Sequence, residues 1–208
     1  RPPRSTLFPS TTLFRSEGEP RFRPSMVEPV RVMGICGTYS PDSANGRMLE
    51  IALAYCEELG AETVIWDNSV NSLPFLGEDG CWSHPSVEEY RELANSSDAF
   101  MLSSPEYHGT MSGVMKNHLD FLSFDQTSGK VFGLMSTLGG QSNSNTLNHM
   151  RISARWIHGW VVPEQVAIGN VRRALEDAGN LTDEKLDQRV RDLAASLVKT
   201  AEYLRGIR

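Results

Sequence analysis

Residues Ser103–Ser123 read SSPEYHGTMSGVMKNHLDFLS, and this stretch decides the fold. Phe100, Met101 and Leu102 close a short apolar run that begins after Asp98. Pro105 and Gly109 predict a sharp loop directly behind it, and an amphipathic helix follows. The loop is therefore expected at the carboxyl end of a strand. In open parallel sheets that edge holds the ligand, in the crevice where the strand order reverses.

Outward from this stretch, short apolar strands alternate with amphipathic helices. Strands are expected at Val30–Cys36, Thr63–Trp66, Ala99–Leu102, Val131–Ser136 and Val161–Ile168. Helices are expected near Arg47–Leu59, Val87–Asn95, Gly113–Leu122 and Asn145–His158. Right-handed crossovers turn a βαβαβαβαβ alternation into one parallel sheet covered on both faces. A last helix is expected to begin with Thr182 as N-cap and Asp183 and Glu184 in its first turn, where carboxylates favour the positive end of the dipole. Leu186, Val190, Leu193, Leu197, Ala201 and Leu204 share one face of it and are expected to dock on the sheet.

The chain has 208 residues, 39% of them hydrophobic, which suffices for one buried α/β core. Its apolar runs are short and interrupted by charge, so neither a membrane span nor a signal-peptide core is expected. Cys36, Cys56 and Cys81 are odd in number and widely spaced, without CxxC or a histidine cluster. That pattern argues against a disulfide framework and a zinc site, and fits a reducing cytoplasm.

Residues 1–23 differ from the rest. They are rich in Pro, Ser, Thr and Arg, and Thr6–Ser16, TLFPSTTLFRS, closely resembles the translation of a sequencing-library adapter. This segment is expected to be a disordered, artefactual tail; the alternative is a natural basic arm. The domain is then residues 24–208. Five Arg and two Glu give the tail +3 against −6 for the whole chain, which leaves −9 for the remainder. An acidic domain repels nucleic acid and anionic membranes.

PEYHG followed by SGVMKNHLDFLS resembles the NADPH-dependent FMN reductase family, flavoproteins of flavodoxin-like fold. Lys116, Asn117, Leu119 and Asp120 match that family's helix. The resemblance implies an α/β three-layer sandwich with a five-stranded parallel sheet of order 2-1-3-4-5, FMN as cofactor, and NADPH or NADH as co-substrate. It covers about Val30 to Ile168.

Three loops at the carboxyl ends of strands are candidates to hold the flavin. The first, GTYSPDSANG (Gly37–Gly46), has neither GxGxxG nor the GK[ST] of a P-loop. It offers hydroxyls and helix-opening N–H groups suited to a phosphate monoester; an ordinary Ser/Asn-rich capping turn has the same composition. By resemblance Thr38, Ser43 and Asn45 match the FMN-phosphate positions. Ser40 stands where many members have Arg, with Arg47 nearby to compensate.

The second loop, Ser104–Met111, places Pro105, Glu106, Tyr107, His108 and Gly109 at the positions that contact the isoalloxazine in the resembling family. His108 replaces an Asn common there and reads alternatively as a surface histidine. Glu106 reads either as a helix-dipole or backbone contact or as a solvated side chain. In the third loop, STLGGQSN (Ser136–Asn143), paired glycines allow backbone to approach a planar ligand closely. Thr137, Leu138, Gly139 and Gly140 match the family's other wall, while Ser142 or Asn143 is a candidate helix cap.

Lys116 and Asp120, at i,i+4, read as a surface ion pair. Met111, Met115, Met150, Trp156 and Trp160 read as core or subunit interface. His149 and His158 stand more than two turns apart with no third ligand, so no metal site is expected. Within GEDGCWSHP, Gly77–Pro85, Trp82 and His84 read as surface loop, or as overhanging the flavin or a partner. Arg47, Lys116, Arg151 and Arg155 are candidate contacts for a 2′-phosphate.

The expected activity is hydride transfer from NAD(P)H to bound FMN and onward to free flavin, a quinone, an azo compound or a metal oxyanion. No catalytic acid or base is assigned, since the flavin carries the chemistry and the protein supplies orientation. The rival readings are a flavodoxin-like electron carrier without NAD(P)H activity and a flavinless binding module. The resemblance further implies a homodimer or homotetramer.

Overall fold

A computed structural model describes residues 28–40, 42–141, 144–175 and 181–207. The readings of residues 1–23 as a tail and of Ser142 or Asn143 as a cap lie outside these residues. Among the described residues six strands form: β1 (Arg31–Cys36), β2 (Glu62–Trp66), β3 (Ala99–Tyr107), β4 (Thr110–Met111), β5 (Val131–Thr137) and β6 (Trp160–Ile168). The five long ones are parallel in the order β2-β1-β3-β5-β6, with β4 antiparallel to β3. With the short β4 set aside, this is the flavodoxin-like order 2-1-3-4-5.

Alternation along the central strands builds a core on each face. Val32, Ala99, Met101, Val131 and Met135 face α1 (Ala44–Glu58) and a C-terminal helix (Glu184–Arg205). Met33, Phe100, Leu102, Phe132 and Leu134 face α2 (Pro85–Asn95), α3 (Gly113–Asp120) and the helix Ser144–Trp156. Between the last two lies α4 (Phe124–Thr127), so Ser144–Trp156 is α5; the short α6 (Val171–Ala174) precedes the C-terminal helix, α7. Neither α4 nor α6 has a helical repeat long enough to be read from sequence.

The boundaries move where side chains cap. Helix α1 begins at Ala44 instead of near Arg47, because the Ser43 hydroxyl accepts from the Gly46 N–H at 3.1 Å. Helix α7 is capped by Asp183, which accepts from the Lys185 N–H at 2.8 Å, and not by Thr182. Thr182 instead donates its hydroxyl to the Arg173 carbonyl. Val190, Leu193, Leu197 and Ala201 are buried on α7's inner face, with Leu186 and Leu204 packed at its ends.

Strand β3 departs most from expectation. It does not end at Leu102 but continues through Pro105 to Tyr107, with Ser104 opposite Ser136 and Pro105 opposite Thr137. The sharp turn falls at His108 and Gly109, whose φ values of 51° and 80° are both positive. That pair is the signature of a tight hairpin turn whose twist matches the flanking strands. It makes β4.

Candidate flavin-binding site

The three loops meet at the carboxyl edge of the sheet, above adjacent strands β1, β3 and β5. Close approach is built in at Gly37. Its N–H donates to the Ser103 carbonyl at 2.8 Å, and a Cβ there would lie 2.9 Å from Ser112 Oγ and 3.0 Å from Ser104 Oγ. Ser112 donates to the Gly37 carbonyl at 2.7 Å while accepting from the Met115 N–H, so it caps α3 and ties loop one to it. Ser104 accepts from the Ser112 N–H at 3.1 Å. These buried hydroxyls satisfy backbone that would otherwise be unpaired.

Loop one is held from below and from the side. Asn45 is buried: its Oδ1 accepts from Thr137 Oγ1 at 2.8 Å, and its carbonyl accepts from Ser103 Oγ at 3.0 Å. Asn45 and Thr137, read as ligand contacts on different walls, thus bond each other and pin the start of α1 to β3 and β5. From the β2 side, Asn68 Nδ2 donates to the Cys36 carbonyl at 3.0 Å and the Thr38 carbonyl at 2.9 Å. Its Oδ1 lies 2.7 Å from His118 Nε2, and His118 Nδ1 lies 2.7 Å from the Val114 carbonyl.

Those two carbonyls fix the Asn68 orientation, which assigns the Nε2 proton to the contact with Asn68. A neutral imidazole has one N–H for two acceptors. Protonation would serve both, yet His118 is only 1% exposed, and desolvation pushes its pKa down to about 4 against the raising effect of the Val114 carbonyl.

The donor set of loop one fits a phosphate monoester. Thr38 and Ser43 hydroxyls lie 2.8 Å apart at the opening of α1. The first N–H groups of a helix lack intrahelical partners. Arg47, in the first turn, has a buried Nε with no partner among the described residues. A buried N–H of a charged group left without a partner is costly, and an anion at the same helix end would offset that cost. Ser40 is exposed.

In loop two, Pro105 is buried within β3, while Tyr107 and His108 are exposed. The left-handed φ of His108 explains the residue type: Asn, Asp and His are the non-glycine residues most often found there. Glu106 makes a backbone contact, accepting from the Thr146 N–H at 3.1 Å in the first turn of α5. Loop three lies with Gly139 and Gly140 exposed. Its backbone is tied to the end of β6, Leu138 N–H donating to the Ile168 carbonyl at 2.9 Å and Asn170 N–H to the Gly140 carbonyl at 2.6 Å.

Other sequence readings resolve in several ways. Lys116 and Asp120 form the exposed pair, at 2.5 Å. Arg151 bonds the Val162 carbonyl and Gln165 Oε1, so it serves β6. Met111, Met115 and Met150 are core, but Trp156 and Trp160 are exposed. His84 caps α2, and Trp82 packs edge-on against Phe121 at 5.2 Å. The sequence reading missed Asn68, Ser112 and His118; their only signal was that polar residues stand next to strand ends and inside an otherwise apolar helix face.

A parallel sheet of this order, with three polar loops gathered over its switch point, defines a flavodoxin-like α/β protein. The model of the family described as NADPH-dependent FMN reductase matches residues 30–173, and the chain belongs to that family. A Rhizobium meliloti (strain 1021) protein named NADPH-dependent FMN reductase ArsH is 32% identical over 174 residues, 81% of this chain and 71% of its own length. The FMN-dependent NADPH-azoreductase of Staphylococcus aureus (strain USA300) is 32% identical over 149 residues, 66% of this chain and 77% of its own. Among solved structures, the Paracoccus denitrificans flavoenzyme FerB, an NAD(P)H:(acceptor) oxidoreductase, superposes with a TM-score of 0.68 at 19% identity, covering 84% of this chain and 98% of that one. The activity class is that of the family: an FMN-dependent NAD(P)H oxidoreductase.

Proposed function

We propose that this chain, acting through residues 24–208 as one domain, oxidises NADPH or NADH at bound FMN and reduces a small-molecule acceptor. Bound FMN supplies the hydride and electron chemistry. Thr38, Ser40, Ser43 and Asn45, with the opening turn of α1 and Arg47, hold the phosphate. Pro105, Glu106, Tyr107, His108 and Gly109 line one side of the ring, and Thr137, Gly139 and Gly140 the other. Glu106 and Thr137 act through their contacts to α5 and Asn45, so they place the walls instead of touching the ring with their side chains. No side chain at this edge is assigned as acid or base; placement of two rings in contact supplies much of the rate.

The observation that carries this reading is the pair of Thr38 and Ser43 hydroxyls at the start of α1, in whose first turn Arg47 stands with an Nε that is buried and, among the described residues, without a partner. The named activity of the Staphylococcus relative makes azo compounds one acceptor class, beside free flavin, quinones and metal oxyanions. Reduction of bound FMN by a nicotinamide separates this reading from an electron carrier. Anaerobic titration of the FMN-reconstituted protein with NADPH and then NADH is expected to bleach the oxidised-flavin band. Reduction by dithionite alone would indicate the carrier, and failure to retain FMN would overturn the site.

We further propose a homodimer or homotetramer. Ile152 and Trp156 are exposed one turn apart on α5, and Trp160 and Phe124 are exposed as well, apolar surface that association would cover. A cytoplasmic setting is supported by three free, buried cysteines. Among the described residues no helix is long and apolar enough to cross a membrane.

A further inference from the structure

One side of loop one, Gly37, Thr38 and Tyr39, walls a cavity of about 520 Å³ whose other walls are Phe75, Tyr107, Asn117 and the start of α3. None of its lining residues carries a charge. Three aromatics stand at it, Tyr39 51%, Phe75 64% and Tyr107 57% exposed. Exposed phenylalanine usually folds inward, since burying such a ring is strongly favourable.

Phe75 is held outward by its neighbours. Asn117, itself buried, donates from Nδ2 to the Pro74 carbonyl at 2.9 Å and accepts at Oδ1 from the Leu76 N–H at 2.9 Å. One amide thus grips the backbone on both sides of Phe75. Leu73 is buried and Leu76 is packed against the same core, while the Glu78 N–H donates to the Phe75 carbonyl at 3.1 Å. The segment cannot rotate the ring into the core without breaking these contacts.

We infer that Phe75 is a specificity-determining residue, forming with Tyr39 and Tyr107 an uncharged aromatic mouth for planar, neutral ring acceptors, and that Asn117 is its positioning residue. The inference rests on the FMN reductase reading above. An oxyanion entering this mouth meets no cation, whereas a neutral ring gains stacking and loses little hydration. For a quinone the balance is closed: NADPH gives a hydride, one proton comes from solvent, and the products are NADP⁺ and the hydroquinone. With ferricyanide, two anions each take one electron and a proton is released.

The test uses the FMN-loaded protein with NADPH and two acceptors, a neutral naphthoquinone and ferricyanide. Phe75→Ala is expected to lower kcat/KM for the quinone roughly fivefold to tenfold more than for ferricyanide, chiefly through KM. Phe75→Trp restores it. Titration calorimetry with 2-naphthol, which is not reduced, should show a matching loss of affinity in Phe75→Ala. Asn117→Asp, which keeps the acceptor but loses the donor, should reproduce that loss with an unchanged far-ultraviolet spectrum. An equal loss with both acceptors, or unchanged naphthol affinity in Phe75→Ala, overturns the specificity role; unchanged naphthol affinity in Asn117→Asp overturns the positioning role. If NADPH fails to reduce the flavin while Phe75-dependent naphthol binding persists, the reductase reading falls and the aromatic mouth stands.

Discussion

The backbone of loop one and the aromatic mouth, to which Tyr39 of the same loop contributes a ring, share one sheet edge, yet they are built on opposite principles. Loop one is over-determined: Asn68, Asn45, Ser103, Ser112 and Thr137 hold it through buried hydrogen bonds from β2, β3, β5 and α3. The mouth is fixed only at its backbone and leaves three rings in water. A phosphate has one shape and a fixed charge, so a rigid polar cradle suits it. Acceptors differ in shape, and exposed aromatic surface tolerates that difference. Buried polar networks are costly to break, while surface aromatics are cheap to replace.

The contrast is sharpest at Asn68. Asn68→Ala leaves the Cys36 and Thr38 carbonyls and the His118 imidazole without this partner. A stability loss of about 4 kcal/mol is expected from urea unfolding, together with weaker FMN retention by fluorescence quenching. Loss of FMN without loss of stability would show that the network serves ligand geometry alone.

His118 makes the cradle side pH-sensitive. Its folded pKa of about 4 lies below the usual 6.5. Between these values the unfolded chain binds the extra proton, so stability is fully present above pH 6.5 and declines as pH falls toward 4. The decline approaches about 3 kcal/mol, and His118→Gln should flatten it in parallel urea titrations. A slope of opposite sign would mean that the imidazolium, with a donor for each acceptor, is the native form.

Ser43→Ala removes the α1 cap and one cradle hydroxyl. About 1 kcal/mol of stability is expected to go, with a larger proportional loss of FMN affinity measured by calorimetry. At the turn, His108→Val forces a β-branched residue into left-handed φ and should cost about 1 kcal/mol in thermal unfolding, while His108→Asn should be nearly neutral. Least affected is stability in Tyr107→Ala, within about 0.5 kcal/mol by urea unfolding, because this side chain is exposed. A larger loss would mean that the mouth supports the fold after all.

The parallel sheet, its order by resemblance and the three loops were legible because strands alternate in burial and glycine, serine and asparagine cluster behind them. Boundaries were less legible. Strand β3 was expected to end at Leu102 because Pro105 signals a break, but losing one N–H does not stop a strand whose neighbour β5 continues alongside it. Thr182 and Asp183 both have capping side chains, and only the geometry of α7 selects Asp183.

By itself the sequence determined the alternation of strands and helices, the family motif and the positions of the three polar loops, because these depend on local pattern. Tertiary structure alone decided that Asn45 and Thr137 bond each other, that Asn68 and His118 brace loop one, and that Asn117 holds the backbone on both sides of Phe75. The reason is distance along the chain: Asn45 and Thr137 are 92 residues apart and Asn68 and His118 are 50. Side chains so separated meet only when the sheet has set its order, and no local propensity records which acceptor a buried amide will find.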